Sequence, residues 1–180
     1  RVDIAFERGD GAYLLTGDGE RYLDFASGVA VTALGHSHPR LVEALTNQAA
    51  KLWHCSNLFR IPEQEELAHR LVSNSFADTV FFCNSGAEAV EAGLKLVRKF
   101  QHDTGDTDRY RMVTFDGSFH GRTLGALSVL GQEKYRAPWS AIIRENSFVP
   151  YADLDAAKAA LGDDVAAMIV EPVQGEGGVH

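Results

Sequence analysis

Cysteine is scarce in this 180-residue chain: Cys55 and Cys83 are the only two. A pair does not make a disulfide framework, so the fold must rest on a packed core, and a reducing, cytoplasmic setting fits. Long apolar runs are absent, which excludes a hydrophobic bilayer-spanning helix. Basic residues are outnumbered, with Lys+Arg 17 against Asp+Glu 25 and a net charge of −8. With no basic cluster to offset that balance, a nucleic-acid partner is disfavoured. The chain has no Gly-x-Gly-x-x-Gly after a strand and no Gly-x-x-x-x-Gly-Lys-Ser/Thr, the two commonest glycine signatures of nucleotide binding. Internal repeats and low-complexity tracts are missing too, and Arg1–Val2–Asp3–Ile4 carries no signal-peptide pattern. The ordinary hydrophobic share of 45% and charged share of 23% indicate a globular protein with a substantial core.

The apolar pattern divides the chain into elements. Ala12–Leu15 and Arg21–Phe25 read as strands around Gly17–Asp18–Gly19, a hairpin signal. Pro39 opens a helix with Leu41, Val42, Ala44, Leu45 and Ala49 on one face, and Pro62 opens a second with Leu67, Leu71 and Val72 inward. From Val80 strands and helices alternate. Val80–Cys83 reads as a buried strand with Cys83 as a core thiol, Ala87–Phe100 as a helix, Met112–Phe115 as a strand, Asp153–Leu161 as a helix and Ala166–Val170 as a buried strand. Leu124–Leu130 fits helix or strand. On the helix from Ala87, Val90, Leu94 and Val97 face inward and Glu91 pairs with Lys95. The pattern predicts an α/β fold: a small N-terminal hairpin layer, residues 1–60 with a linking helix, then a mostly parallel sheet covered by helices over 61–180.

Ligands of open α/β sheets sit beyond the carboxyl ends of the strands. Asn84–Ser85–Gly86, Asp116–Gly117 and Glu171–Pro172 all fall at such ends. The first runs from a strand through small residues into a helix, which offers free N–H groups and a positive helix end to an anion. Gly86 leaves the backbone open to close approach. The same turn would also serve as an ordinary capped helix start, with Asn84 or Ser85 as N-cap. His36–Ser37–His38 has the look of a metal site but lacks a third ligand at useful spacing, so no metal is expected.

Several segments together carry a resemblance. They are Asp24–Phe25–Ala26–Ser27–Gly28–Val29–Ala30–Val31, Leu34–Gly35–His36–Ser37–His38–Pro39, Leu52–Trp53–His54–Cys55–Ser56–Asn57–Leu58–Phe59, Phe82–Cys83–Asn84–Ser85–Gly86–Ala87–Glu88–Ala89, Phe119–His120–Gly121–Arg122–Thr123 and Glu171–Pro172–Val173–Gln174–Gly175–Glu176–Gly177–Gly178. In order and spacing the chain resembles the class III, fold-type I pyridoxal-phosphate aminotransferases, and within them the acetylornithine group. The resemblance implies pyridoxal 5'-phosphate as cofactor and transfer of the terminal amino group of N2-acetylornithine to 2-oxoglutarate, in arginine biosynthesis. It makes Ser85, Gly86 and Ala87 the phosphate cradle and Phe119 the aromatic that stacks on the cofactor ring, with His120 beside it. Arg122 matches the arginine that forks onto a substrate carboxylate. Glu176 matches a glutamate that pairs with a second arginine, which would lie beyond His180, and Glu171 a pocket carboxylate near the cofactor. Val29 stands where ornithine-using relatives carry tyrosine, which leaves room for an acetylated substrate.

The family's Schiff-base lysine and ring-nitrogen aspartate have no counterpart here. None of Lys51, Lys95, Lys99, Lys134 and Lys158 has the required setting, so no catalytic lysine is assigned. Gly177–Gly178–Val179–His180 leads onward like a turn, and the chain reads as an N-terminal fragment, inactive alone. The resemblance also implies a homodimer, for which Leu52–Trp53 and Leu58–Phe59 offer an apolar contact. Two rivals stay open: a sibling transaminase acting on succinylornithine, ornithine or 4-aminobutyrate, and a non-catalytic phosphate- or nucleotide-binding module.

Overall fold

The computed structural model describes residues 2–180. The chain forms two compact units, one ending at Asp78 and the other beginning at Thr79. The sequence reading put its division at residue 60, before the helix that Pro62 opens; that helix clusters with the first unit.

The first unit is built on a three-stranded antiparallel sheet of order β1-β2-β3, comprising β1 (Phe6–Asp10), β2 (Tyr13–Thr16) and β3 (Arg21–Leu23). β2 and β3 form the expected hairpin, with Tyr13 opposite Leu23 and Leu15 opposite Arg21. Gly19, at φ +92, closes its turn, a conformation that a side chain would strain. β1 was not foreseen, because Glu7, Arg8, Gly9 and Asp10 give no period-two alternation. Ser27, Gly28, Val29 and Ala30 follow as a single left-handed turn, α1 (Ser27–Ala30), with φ between +50 and +63. The Asp24 carboxylate holds its entry: Oδ1 accepts from the N–H groups of Ala26 (3.0 Å) and Ser27 (2.8 Å), and Oδ2 meets His36 Nε2 at 2.7 Å.

Two helices complete this unit, α2 (Pro39–Ala49) and α3 (Pro62–Ser73), each with proline in its first turn. Their apolar faces lie open: Leu45 is 72% exposed, and Leu67 and Leu71 are 48% and 44% exposed. The inward orientation expected for Leu67 and Leu71 is therefore corrected, since no described segment covers that side.

The second unit carries a parallel sheet of order β5-β4-β6: β4 (Arg111–Phe115), β5 (Ser147–Val149) and β6 (Val165–Met168). α4 (Gly86–Thr104) covers one face, and α7 (Leu154–Ala159), capped by Asp153, covers the other. Between them lie α5 (Leu124–Ser128) and α6 (Glu133–Arg136). β4 is central and buried on both faces, so Met112, Val113 and Phe115 are apolar and the buried Thr114 satisfies its hydroxyl on the Val129 carbonyl (2.8 Å). Met112 packs with Leu94 and Val129 on the α4 side, joined by Val90 and Val97 as expected. Val113 and Phe115 pack with Val149, Ala157 and Val165 on the other. Burying each such aliphatic side chain is worth about 1.5–3 kcal/mol. Arg111 ties the sheet's amino end together, forking onto Asp164 with two 2.7 Å bonds.

The expected strand at Val80–Cys83 does not form. Among the described residues its backbone has no ladder partner; Phe81 is 73% exposed and Cys83 is exposed rather than a core thiol. A strand needs a neighbour to satisfy its backbone groups, and apolar composition alone does not supply one.

Candidate active site

The carboxyl end of the β5-β4-β6 sheet and the start of α4 converge on one region of the second unit. Ser85 is the N-cap of α4: its Oγ accepts from the Glu88 N–H (3.2 Å), while Glu88 Oε2 accepts from the Asn84 N–H (2.6 Å). This reciprocal capping box fixes the helix start. It leaves the N–H groups of Gly86 and Ala87 with no acceptor among the described residues, and the Ser85 hydroxyl proton is free to donate. The space beside Gly86 is open, for a Cβ there would meet nothing within 4 Å. A nineteen-residue helix thus directs two free N–H groups and its positive end into open space, an arrangement that suits an anion.

The loop after β4 lies against that turn. Gly121, at φ +115, sits so close that an added Cβ would stand 2.9 Å from Ala87 Cβ and 3.1 Å from Ala87 Cα. Ser118, 1% exposed, anchors the loop's start by accepting at Oγ from the Gly131 N–H (2.9 Å). Its far side is held from α4: Glu91 Oε1 accepts from Thr123 Oγ1 (2.5 Å) and from the N–H groups of Gly125 (2.9 Å) and Ala126 (3.1 Å). The Thr123 hydroxyl bond, above all, holds the Glu91 carboxyl below its ordinary pKa. Glu91 is therefore the cap of α5 and the strut between α4 and the loop. The pairing with Lys95 expected from their spacing is not what it serves.

Within the loop, Phe119 is half-buried and donates its N–H to Glu171 Oε1 at 2.7 Å. The Arg122 guanidinium lies 5.9 Å from the Phe119 ring centroid and 4.5 Å from that of Tyr135, and has no carboxylate partner among the described residues. His120 is 7% exposed and its buried Nε2 has no hydrogen-bond partner among the described residues. Burial pushes its pKa down, against a smaller opposing pull from the Glu171 carboxylate, so the ring is neutral at pH 7.

The segment after β6 supplies the third side. Tyr151 Oη donates to the carbonyls of Glu171 (3.1 Å) and Pro172 (3.0 Å). Gln174, 2% exposed, donates Nε2 to the Asp116 carbonyl (2.8 Å) and exchanges backbone bonds with His180. Gly177 packs on the Gly117 carbonyl. Glu176 is exposed on this segment and makes no hydrogen bond among the described residues.

The comparisons with known proteins bear on what this region is. The family model described as aminotransferase class-III matches residues 1–180. The chain belongs to the class-III aminotransferases. Acetylornithine aminotransferase 1 of Bradyrhizobium diazoefficiens is 54% identical over all 180 residues, which cover 44% of that relative. The structure of N-acetylornithine aminotransferase from Stenotrophomonas maltophilia superposes with a TM-score of 0.81 at 40% identity, over 99% of this chain and 44% of that one. Ornithine aminotransferase from Toxoplasma gondii, solved with pyridoxal phosphate at partial occupancy in its active site, superposes at 0.91 with 31% identity, over 99% of this chain and 43% of that one. The chain spans less than half the length of these relatives.

For a class-III aminotransferase the donor set fits a phosphorylated, planar cofactor: free N–H groups and a hydroxyl for the phosphate, a half-buried aromatic for a ring, and an unpartnered guanidinium for a carboxylate. The structure brings Ser85, Gly86, Ala87, Phe119, His120, Arg122 and Glu171 into one region, with Glu176 at its exposed rim. His36, for which no metal role was expected, bonds Asp24. Sequence reasoning missed the struts Glu91, Ser118, Tyr151 and Gln174. The only sequence signal Glu91 carries is its i,i+4 spacing to Lys95, which points along α4 rather than to the loop.

Proposed function

We propose that this chain forms part of a pyridoxal-phosphate-dependent aminotransferase that moves the terminal amino group of N2-acetylornithine to 2-oxoglutarate. The observation that carries the proposal is the pair of free N–H groups at Gly86 and Ala87, packed beside the loop that bears Phe119 and Arg122. In this reading Gly86 and Ala87 bind the cofactor phosphate through their N–H groups and Ser85 through its hydroxyl. Phe119 provides a flat wall that fixes the ring plane and excludes water. His120, neutral and buried, follows it in the loop. When bound, pyridoxal phosphate supplies an electron-withdrawing ring that takes up the electron pair left when a substrate C–H bond breaks. Arg122 grips the substrate carboxylate with its planar fork. Glu171 holds Phe119 by the backbone and so sets the wall's position, and Glu176, free at the rim, responds to the exchange of one substrate for the other.

No lysine hydrogen-bonds any of these groups among the described residues, although Lys134 lies 4.8 Å from the Tyr135 ring that Arg122 also faces. Lys95 and Lys99 lie along α4, Lys134 on α6 and Lys158 on α7, while Lys51 follows α2 in the first unit. Residues outside these 180 must then move the proton, and the 180 residues alone will not transaminate. A homodimer is proposed on the large apolar groups left exposed at Trp53 (87%) and Leu58 (85%). The two free thiols, Cys55 and Cys83, suit a reducing cytoplasm.

The test is steady-state kinetics of the enzyme carrying this chain, with 2-oxoglutarate and four amine donors: acetylornithine, succinylornithine, ornithine and 4-aminobutyrate. The highest kcat/KM is expected with acetylornithine. A preference for ornithine would move the assignment to a sibling, in line with the close superposition on the Toxoplasma enzyme. No visible absorbance from bound cofactor and no transfer would leave only a phosphate-binding module.

A further inference from the structure

At the opposite end of the β5-β4-β6 sheet, three arginines line one hollow of about 270 Å³: Arg98 from α4, Arg109 from the approach to β4 and Arg144 from the approach to β5. Their companions are Gln101, His102, Thr107 and Tyr110, and no carboxylate is among them. In a chain of net charge −8 such a grouping runs against the mean charge. None of the three guanidinium groups forms an ion pair or donates a hydrogen bond among the described residues. Of the acids nearby, Asp103 pairs with Lys99 at 2.7 Å and touches His102 at 3.4 Å, Asp164 is held by Arg111, and Asp106 and Asp108, on either side of Thr107, do not line the hollow. Glu145, next to Arg144, faces the adjoining hollow instead.

The helix dipole accounts for only part of this. Arg98 and His102 lie in the last two turns of α4, where cations are favoured. Arg109 and Arg144 are on no helix, yet they turn to the same hollow. Arg144 is held there by the Tyr110 ring, 4.6 Å below its guanidinium carbon, a contact that orders a long side chain before anything binds. Gln101, 8% exposed, fixes the floor by donating Nε2 to the Ala166 carbonyl at 3.1 Å.

We propose that this hollow binds a small, multiply charged oxyanion, with three guanidinium forks supplying charge-assisted donors and Thr107 and Tyr110 adding hydroxyls. It lies beyond the amino end of β4, whereas the Phe119 loop follows the carboxyl end, so the two sites are separate. Arginine rather than lysine suits the task, because planar forks match phosphate and carboxylate oxygens in pairs.

The test is calorimetric titration of the protein with inorganic pyrophosphate, and separately with citrate, at low ionic strength. R109Q/R144Q is compared with the unmodified protein and with K51Q/K158Q, which removes the same charge elsewhere. The Ser85–Ala87 turn is intact in all three, so anion binding there appears in every titration and cancels. One binding event should weaken about tenfold for each guanidinium removed and should fade as salt is raised. It should persist in K51Q/K158Q. Tighter pyrophosphate would identify the phosphate class, and tighter citrate the polycarboxylates. Identical titrations for R109Q/R144Q and the unmodified protein, or an equal loss in K51Q/K158Q, would overturn the proposal. The single variant R144Q, at an exposed position, serves if the double variant fails to fold.

Discussion

Replacing Gly121 by alanine tests whether the Phe119–Arg122 loop is seated on the start of α4. Two independent costs fall on that one methyl group. The residue has φ +115, a backbone conformation that L side chains rarely adopt, and holding a non-glycine residue in such a region costs about 1–3 kcal/mol. The new Cβ would also stand 2.9 Å from Ala87 Cβ, 3.1 Å from Ala126 Cβ and 3.1 Å from Ala87 Cα. Two of these neighbours are short side chains on helices and one is backbone, so none can rotate away; forced overpacking of this kind costs about 1–3 kcal/mol. The sum, about 2–6 kcal/mol, corresponds to a fall in Tm of about 4–24 °C for a chain of this size. If the loop instead lifts to escape, the melting loss shrinks but the aromatic wall and the arginine move away from the free N–H groups. Cofactor affinity, followed by absorbance titration with pyridoxal phosphate, would then fall. Each route therefore has its own readout. A G121A protein that melts within about 1 °C of the parent and binds pyridoxal phosphate equally well would refute the packing described for this loop.

Glu91→Ala removes three hydrogen bonds from the Thr123–Ala126 segment; a loss of about 1–2 kcal/mol, the scale of a lost cap, should appear in thermal melting, with Glu91→Gln in between. Arg122→Lys should raise KM for the carboxylate substrate at least tenfold while leaving pyridoxal-phosphate affinity within about twofold, because a point charge replaces a fork; equal loss of both would assign Arg122 to the cofactor instead. His120 has its folded-state pKa pushed down by burial, so below about pH 6.5 the unfolded chain takes up a proton that the folded chain refuses. Stability should fall on acidification through that window, and His120→Gln should flatten the slope; an unchanged melting profile against pH would contradict the buried, neutral ring.

Much of the fold was legible because it is set by local chemistry. Pro39 and Pro62 mark helix starts, Asp153 caps α7, and Gly17–Asp18–Gly19 turns the hairpin. Within β4, Met112–Phe115 was legible as a short, mostly apolar run. Val80–Cys83 shows where that logic stops: it is more apolar than β4, but a strand is a relation between two segments, and composition cannot say whether the partner is at hand. β5 escaped notice for the reverse reason. Ser147–Val149 is three residues long, too short for any period, and is specified by Val113, Thr114 and Phe115 opposite it.

The same distinction separates the groups offered to a ligand from the groups that hold them. Ser85, Gly86, Phe119 and Arg122 stand in short contiguous motifs, because a turn or a loop places its own residues. The struts come from far along the chain. Glu91 reaches Thr123, Gln174 reaches Asp116, and Glu171 reaches Phe119, across separations of 32, 58 and 52 residues. Each spends a side-chain oxygen or amide on another segment's backbone or hydroxyl, a contact open to any of several residue types. Such struts leave little mark in a single sequence, yet they decide whether the loops stand in register. Glu171 shows the consequence for assigning roles: a carboxylate at a strand end invites a ligand-facing function, but the 2.7 Å bond to the Phe119 N–H engages one of its oxygens in the scaffold. Any part it plays toward a ligand is left to the other oxygen.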